Sequence, residues 1–179
     1  MSDGRGKATR APVLHPLDVV ESALERGDVW CDEVRETMAY LGINDHWPWF
    51  YSISETVGME VSMLVDAEGL CFIDWGTISR VGLNPPKGAT IPFKIWTHTH
   101  PRGDSYWSLT DRQTLAIASA ARIIRKAIVL GRNQMKVSVW DEQPAAEPLA
   151  DNGPLIHWSN EPIQHVEVGI SPWISEVNA

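Results

Sequence analysis

The chain has 179 residues, a net charge of −8 and a pI of about 5.2, and 44% of its residues are hydrophobic. That balance suits one globular domain with a real core, and it argues against a disordered chain or a surface that holds nucleic acid through its phosphates. No apolar run approaches the ~20 residues of a membrane span, the first residues lack a signal-like apolar stretch, and Cys31 and Cys71 alone make no disulfide framework, so a cytoplasmic protein without membrane or nucleic-acid partners is expected.

Residues 1–13 are polar, carry Arg5, Lys7 and Arg10, and show no apolar periodicity, which predicts a flexible tail before a single domain over 14–179. Leu17, Val20 and Leu24 recur at helical spacing within 14–28, with Gly27 suited to the end. A second helix is predicted over 32–42, with Asp32 as N-cap, Val34, Met38 and Leu41 on one face, and Gly42 as the stop. INDHWPWF (43–50) reads as a turn. Alternation of Val57, Met59, Val61, Met63 and Val65 makes 52–66 mostly strand, AEG (67–69) a turn and 70–78 the returning strand of a hairpin. A Gly/Pro loop follows over 79–90, then a strand over 91–100 and a helix over 108–127, with RIIRK (122–126) as its solvated basic face. Strands are expected at 127–131, 135–141, 155–159 and 163–169, with a loop over 142–154.

The chemistry concentrates in THTHPRGDSYWSLTD (97–111). His98 and His100 lie two apart at a strand end, so both imidazoles point to one face. Asp111 opens the next helix and supplies a third donor. Two histidines and one carboxylate leave one tetrahedral position open, the layout of a catalytic rather than a structural zinc site. Ser108 is placed to donate to a developing oxyanion. Ser108 and Asp111 also form S-x-x-D, a near-capping box, and the two readings are compatible. Trp96 and Trp107 flank the motif and are candidates for lining a cleft. His157, His165, His15 and His46 read as structural or irregular-segment residues, and Cys71 as a buried thiol.

H-x-H, seven residues, S, two residues, D resembles the signature of the JAMM (MPN-plus, or JAB) metalloprotease family, and H98-T-H100-P-R-G-D-S-Y-W-S108-L-T-D111 fills each position. The resemblance covers 52–140. It implies an α+β fold of JAB/MPN-like, cytidine-deaminase-like type: a curved mixed sheet with helices packed on it and the zinc site at one edge. It implies one zinc per chain on His98, His100 and Asp111, and hydrolysis of an amide or isopeptide bond, with a ubiquitin-like or sulfur-carrier-like C-terminal tail as the protein substrate. The family adds a glutamate base on an upstream strand. Glu55-T-V-G58 fits its glutamate–two residues–glycine pattern, and Glu60 is the alternative; five apart, they would face opposite sides of a regular strand. Tyr106 and Trp107 either bind or gate a substrate tail or pack beneath the loop. A non-catalytic MPN-type scaffold module and a RadC-like protein, suggested by HPRGD, are the other readings that the resemblance allows.

Overall fold

The computed structural model describes residues 7–76, 86–139 and 157–163. In chain order these form β1 (Ala8–Thr9), α1 (Leu17–Glu25), α2 (Asp32–Ile43), α3 (Trp47–Val57), β2 (Val61–Val65), β3 (Cys71–Trp75), β4 (Ile95–Thr99), α4 (Leu109–Ala120), β5 (Lys126–Leu130), β6 (Gln134–Val139) and β7 (His157–Pro162). The strands make one mixed sheet in the order β1-β3-β2-β4-β5-β6-β7, antiparallel throughout except for the pair β4 and β5. That parallel pair needs a crossover, and α4 supplies it.

Helices cover both faces. Val20, Met38, Phe50 and Ile53 of α1–α3 pack with Met63, Ile73, Ile128 and Leu130 in one core. Leu115 and Ala118 of α4 pack with Leu64, Phe72, Trp96 and Val129 in another. The inner strands are therefore buried on both sides, and all five residues of β2 are buried. An α+β architecture with a mixed sheet and packed helices is present, as expected. The strand that carries the two histidines is fourth of seven, so they lie at the end of a central strand rather than along a lateral edge.

Several local expectations give way. Residues 47–57 form a helix where a turn and the start of a strand were expected. Pro48 sits in its first turn, where proline's missing N–H costs nothing. Trp47, Phe50, Tyr51 and Ser54 make a buried helical stripe, and Gly58 ends the helix in the left-handed region at φ 72°. The strand alternation holds only from Val61 onward. The 61–75 hairpin itself is present, and Asp66 organises its turn by accepting from the N–H groups of Glu68, Leu70 and Thr90.

The N-cap of α2 is Cys31, with Asp32 the first helical residue, and the helix runs through Gly42 to Ile43. Gly42 is a packing residue: a Cβ there would fall 2.2 Å from Met63 Sδ. Part of the expected free tail is strand, for Ala8 and Thr9 pair with Phe72 and Cys71, and the buried Arg35 donates to Thr9 Oγ1. Helix α4 ends at Ala120, and Arg122 turns the chain at φ 56°. RIIRK thus spans a turn and the entry to β5 rather than a helical face. Strand β7 overlaps the first of the two last strands expected and continues past it. Residues 79–85 and 142–154, His165 and the rest of the strand expected at 163–169 lie outside the described residues, apart from Ile163.

Candidate metal centre

Strand β4 alternates its side chains between the two cores. Thr97 and Thr99 point to the side of α3, where Thr99 Oγ1 meets Ser54 Oγ at 2.5 Å. Trp96 and His98 point to the side of α4, stacked with ring centroids 4.9 Å apart, and His100 follows on the same face, 5.1 Å from His98. The chain then turns away through Pro101 and Arg102 into α4.

Ser108 caps α4. Its hydroxyl accepts from the Asp111 N–H, and Asp111 Oδ2 accepts from the Ser108 N–H at 2.9 Å, a reciprocal capping box. The box aims the Asp111 carboxylate back at the strand. Asp111 Oδ2 lies 3.4 Å from His98 Nε2 and 4.0 Å from His100 Nε2. The three donor atoms all fall within 4.8 Å of one another and all three residues are buried. Ligand atoms of a tetrahedral zinc, each about 2.1 Å from the metal, sit about 3.4 Å apart, so the donor set fits such an ion with little movement.

The nitrogens of His98 strengthen the fit. The residue is 1% exposed, and neither ring nitrogen makes a hydrogen bond among the described residues. A buried imidazole with no hydrogen bond, and only the 3.4 Å approach of Asp111 at Nε2, is costly, and coordination would satisfy Nε2. His100 Nδ1 makes a long 3.4 Å contact with the Asp104 carbonyl, which favours the tautomer that leaves the Nε2 lone pair facing Asp111. Burial, with His98 beside it, pulls the His100 pKa down to about 4, although Asp111 acts the other way. Burial alone would raise the Asp111 pKa, but the His98 imidazole and the Ser108 donors outweigh it and hold the carboxyl at about 2. At neutral pH both present lone pairs without first losing a proton.

The other expected site residues are placed as follows. Glu55 is in the last turn of α3, not on a strand, and its Oε1 accepts from Arg132 Nε at 3.2 Å and lies 3.5 Å from Tyr51 Oη. Glu60 immediately precedes β2 and is 8% exposed. Ser62 pairs with His98 across the β2–β4 ladder, so the same register carried two residues on brings Glu60 opposite His100, on the face of the histidines. Trp96 and Trp107 are buried, at 1% and 3% exposure. Trp96 donates its indole N–H to Ser62 Oγ at 3.0 Å, and both rings pack against His98, while Trp107 also borders an open cleft with Tyr106, Ser108 and Leu109. Tyr106 is 54% exposed and lies 4.5 Å from the His100 ring, which makes it the solvent-facing aromatic of the site.

Two supports had no clear sequence signal. The Arg132 N–H donates to the Gly103 carbonyl, and the Gly103 N–H donates to that of His100, so the Glu55–Arg132 pair steadies the loop behind His100. Gly131 lets that loop approach, for a Cβ there would fall 2.1 Å from the Ser105 nitrogen. Comparison of the chain with protein-family models, with curated proteins and with solved structures finds no match. Among the described residues, no helix is long and apolar enough to cross a membrane.

Proposed function

We propose that this protein is a zinc-dependent hydrolase of the JAMM type that cleaves an amide or isopeptide bond in an extended peptide tail, with ubiquitin-like and sulfur-carrier-like tails as the substrate class. The observation that carries the reading is the buried His98–His100–Asp111 set, with no hydrogen bond to either His98 nitrogen among the described residues, beside the exposed Tyr106. Three protein donors and an open fourth position are what a catalytic zinc requires. Zinc bound there would polarise the substrate carbonyl and acidify water towards a pKa of about 7.

The remaining chemistry belongs to the chain. We assign the general base to Glu60, because the register brings it to the face of His100 while Glu55 is committed to Arg132 on the helix side. Its carboxylate takes the proton of the attacking water and returns it to the departing amine. The Ser108 hydroxyl accepts from the Asp111 N–H, which leaves its own hydrogen to donate to the oxyanion. Trp96 and Trp107 keep water from the back of His98, and the buried capping box keeps Asp111 aimed.

The test is turnover of a panel of glycine-ended isopeptide and peptide substrates by zinc-loaded protein, wild type beside Glu60→Gln. Hydrolysis by wild type, lost in the variant with zinc retained, supports the scheme. Stoichiometric zinc with no turnover of any member would favour a binding module over an enzyme.

A further inference from the structure

His98 lacks the hydrogen bond by which a metal-ligating histidine is usually held. Such a residue commonly donates its second ring N–H to a carboxylate or carbonyl, which fixes the ring, but His98 Nδ1 makes no hydrogen bond among the described residues. His100 has the Asp104 carbonyl beside its Nδ1. The contacts to the His98 ring are aromatic instead. The rings of His100 and Trp107 are tilted to it by 59° and 55°. Trp96 lies nearly flat against it, at 23° and 4.9 Å between centroids, and Trp96 and His98 are each 1% exposed.

The Trp96 ring is itself held. Residues two apart on β4 share a face, and Ser62 of β2 pairs with His98, so Ser62 is the diagonal neighbour of Trp96. The indole N–H donates to Ser62 Oγ at 3.0 Å, buried from solvent. That bond sets the rotation of the indole about its Cβ–Cγ bond, a torsion that is otherwise broad. The stacked indole then limits rotation of the imidazole, which would carry Nε2 away from Asp111 Oδ2 at 3.4 Å. The stack also has an electronic side. A metal on Nε2 draws electron density from the imidazole, and the face of an indole is the best aromatic partner for positive charge.

We infer that Ser62 and Trp96 are positioning residues of the metal centre: the Ser62 hydroxyl locks Trp96, and Trp96 holds His98 with Nε2 towards Asp111. The inference rests on the metal-centre part of the proposed function and not on turnover.

The experiment compares full chains: wild type, Ser62→Ala, Trp96→Phe, the double variant, and Phe72→Leu as a control from the same core. Zinc affinity is read by competition with a chromophoric chelator, the cobalt(II)-loaded chain by its visible absorption, and the fold of each metal-free chain by urea unfolding. Ser62→Ala and Trp96→Phe should each bind zinc about tenfold or more weakly, the worth of a group that orients a ligand, and each should shift the cobalt absorption. Phenylalanine has no N–H to lock, so adding Ser62→Ala to Trp96→Phe should weaken zinc no further. Phe72→Leu should lose stability yet keep wild-type affinity and absorption. Ser62→Ala removes one hydroxyl only, and it carries the test alone if Trp96→Phe does not fold. Wild-type affinity and absorption in folded Ser62→Ala, or a loss of affinity that Phe72→Leu matches, overturns the inference. A folded wild-type chain that takes up neither metal removes the centre and the inference together. The predicted affinities without turnover of any substrate would keep the inference and remove the hydrolase.

Discussion

At the scale of single residues, the choice between Glu55 and Glu60 decides the mechanism. Glu60→Gln is expected to lower turnover by about a hundredfold or more, the usual worth of a positioned base, with zinc content unchanged. Glu55→Gln is expected to keep most activity, because Arg132 loses only a partly exposed ion pair; the opposite ranking in a kcat comparison would return the base role to Glu55. Acid should also weaken the fold. Between about 6.5 and about 4 the unfolded chain takes up a proton that native His100 refuses, and below 3.8 Asp111 extends the same effect towards about 2. Stability of the metal-free protein therefore falls as pH drops from 7 to 4.5, measured by urea unfolding, and a His100→Gln chain should show a smaller drop. The candidate metal-binding group was legible in the sequence because strand and helix periodicity place His98, His100 and Asp111 within a short span. The roles of Trp96 and Trp107 were not, since indoles that flank a site read the same whether they line it or support it.

At the scale of elements, the capping box and the glycine behind it are the parts most open to test. Ser108→Ala should cost about 1 kcal/mol by loss of the N-cap, and Ser108→Thr should recover much of it, as read by chemical denaturation. Gly131→Ala should cost about 2 kcal/mol or more, because its Cβ meets backbone at Ser105 and not a movable side chain; an unchanged midpoint would mean that the loop has room. The error over 43–57 has a physical source. Val57, Met59 and Val61 alternate as a strand would, while the helical stripe of Trp47, Phe50, Tyr51 and Ser54 starts inside a segment that its proline marks as a turn. Gly58 ends the helix between the two patterns, and a single residue of backbone freedom is a weak signal beside five alternating side chains. That slip put Glu55 on a strand, whereas it lies in the last turn of α3.

At the scale of the whole molecule, two cores on opposite faces of one sheet meet at β4, so the strand that carries the histidines is held from both sides. The histidines lie at the carboxyl end of that strand, where its chain leaves for α4, a position that keeps side chains on rigid backbone beside an opening. The α+β class and the hairpin were legible from alternation and length. The sheet order was not, because nothing local says that β1 pairs with β3 or that Ser62 lies opposite His98. Binding of zinc to the folded state alone should stabilise it by about 2.7 kcal/mol when free zinc is a hundred times the dissociation constant. The most direct test of the central claim is elemental analysis of protein purified without a metal-affinity tag, wild type beside His98→Ala/His100→Ala. About one zinc per wild-type chain, absent from the folded double variant, is the predicted result. A folded wild-type chain that holds no zinc even after reconstitution would contradict it.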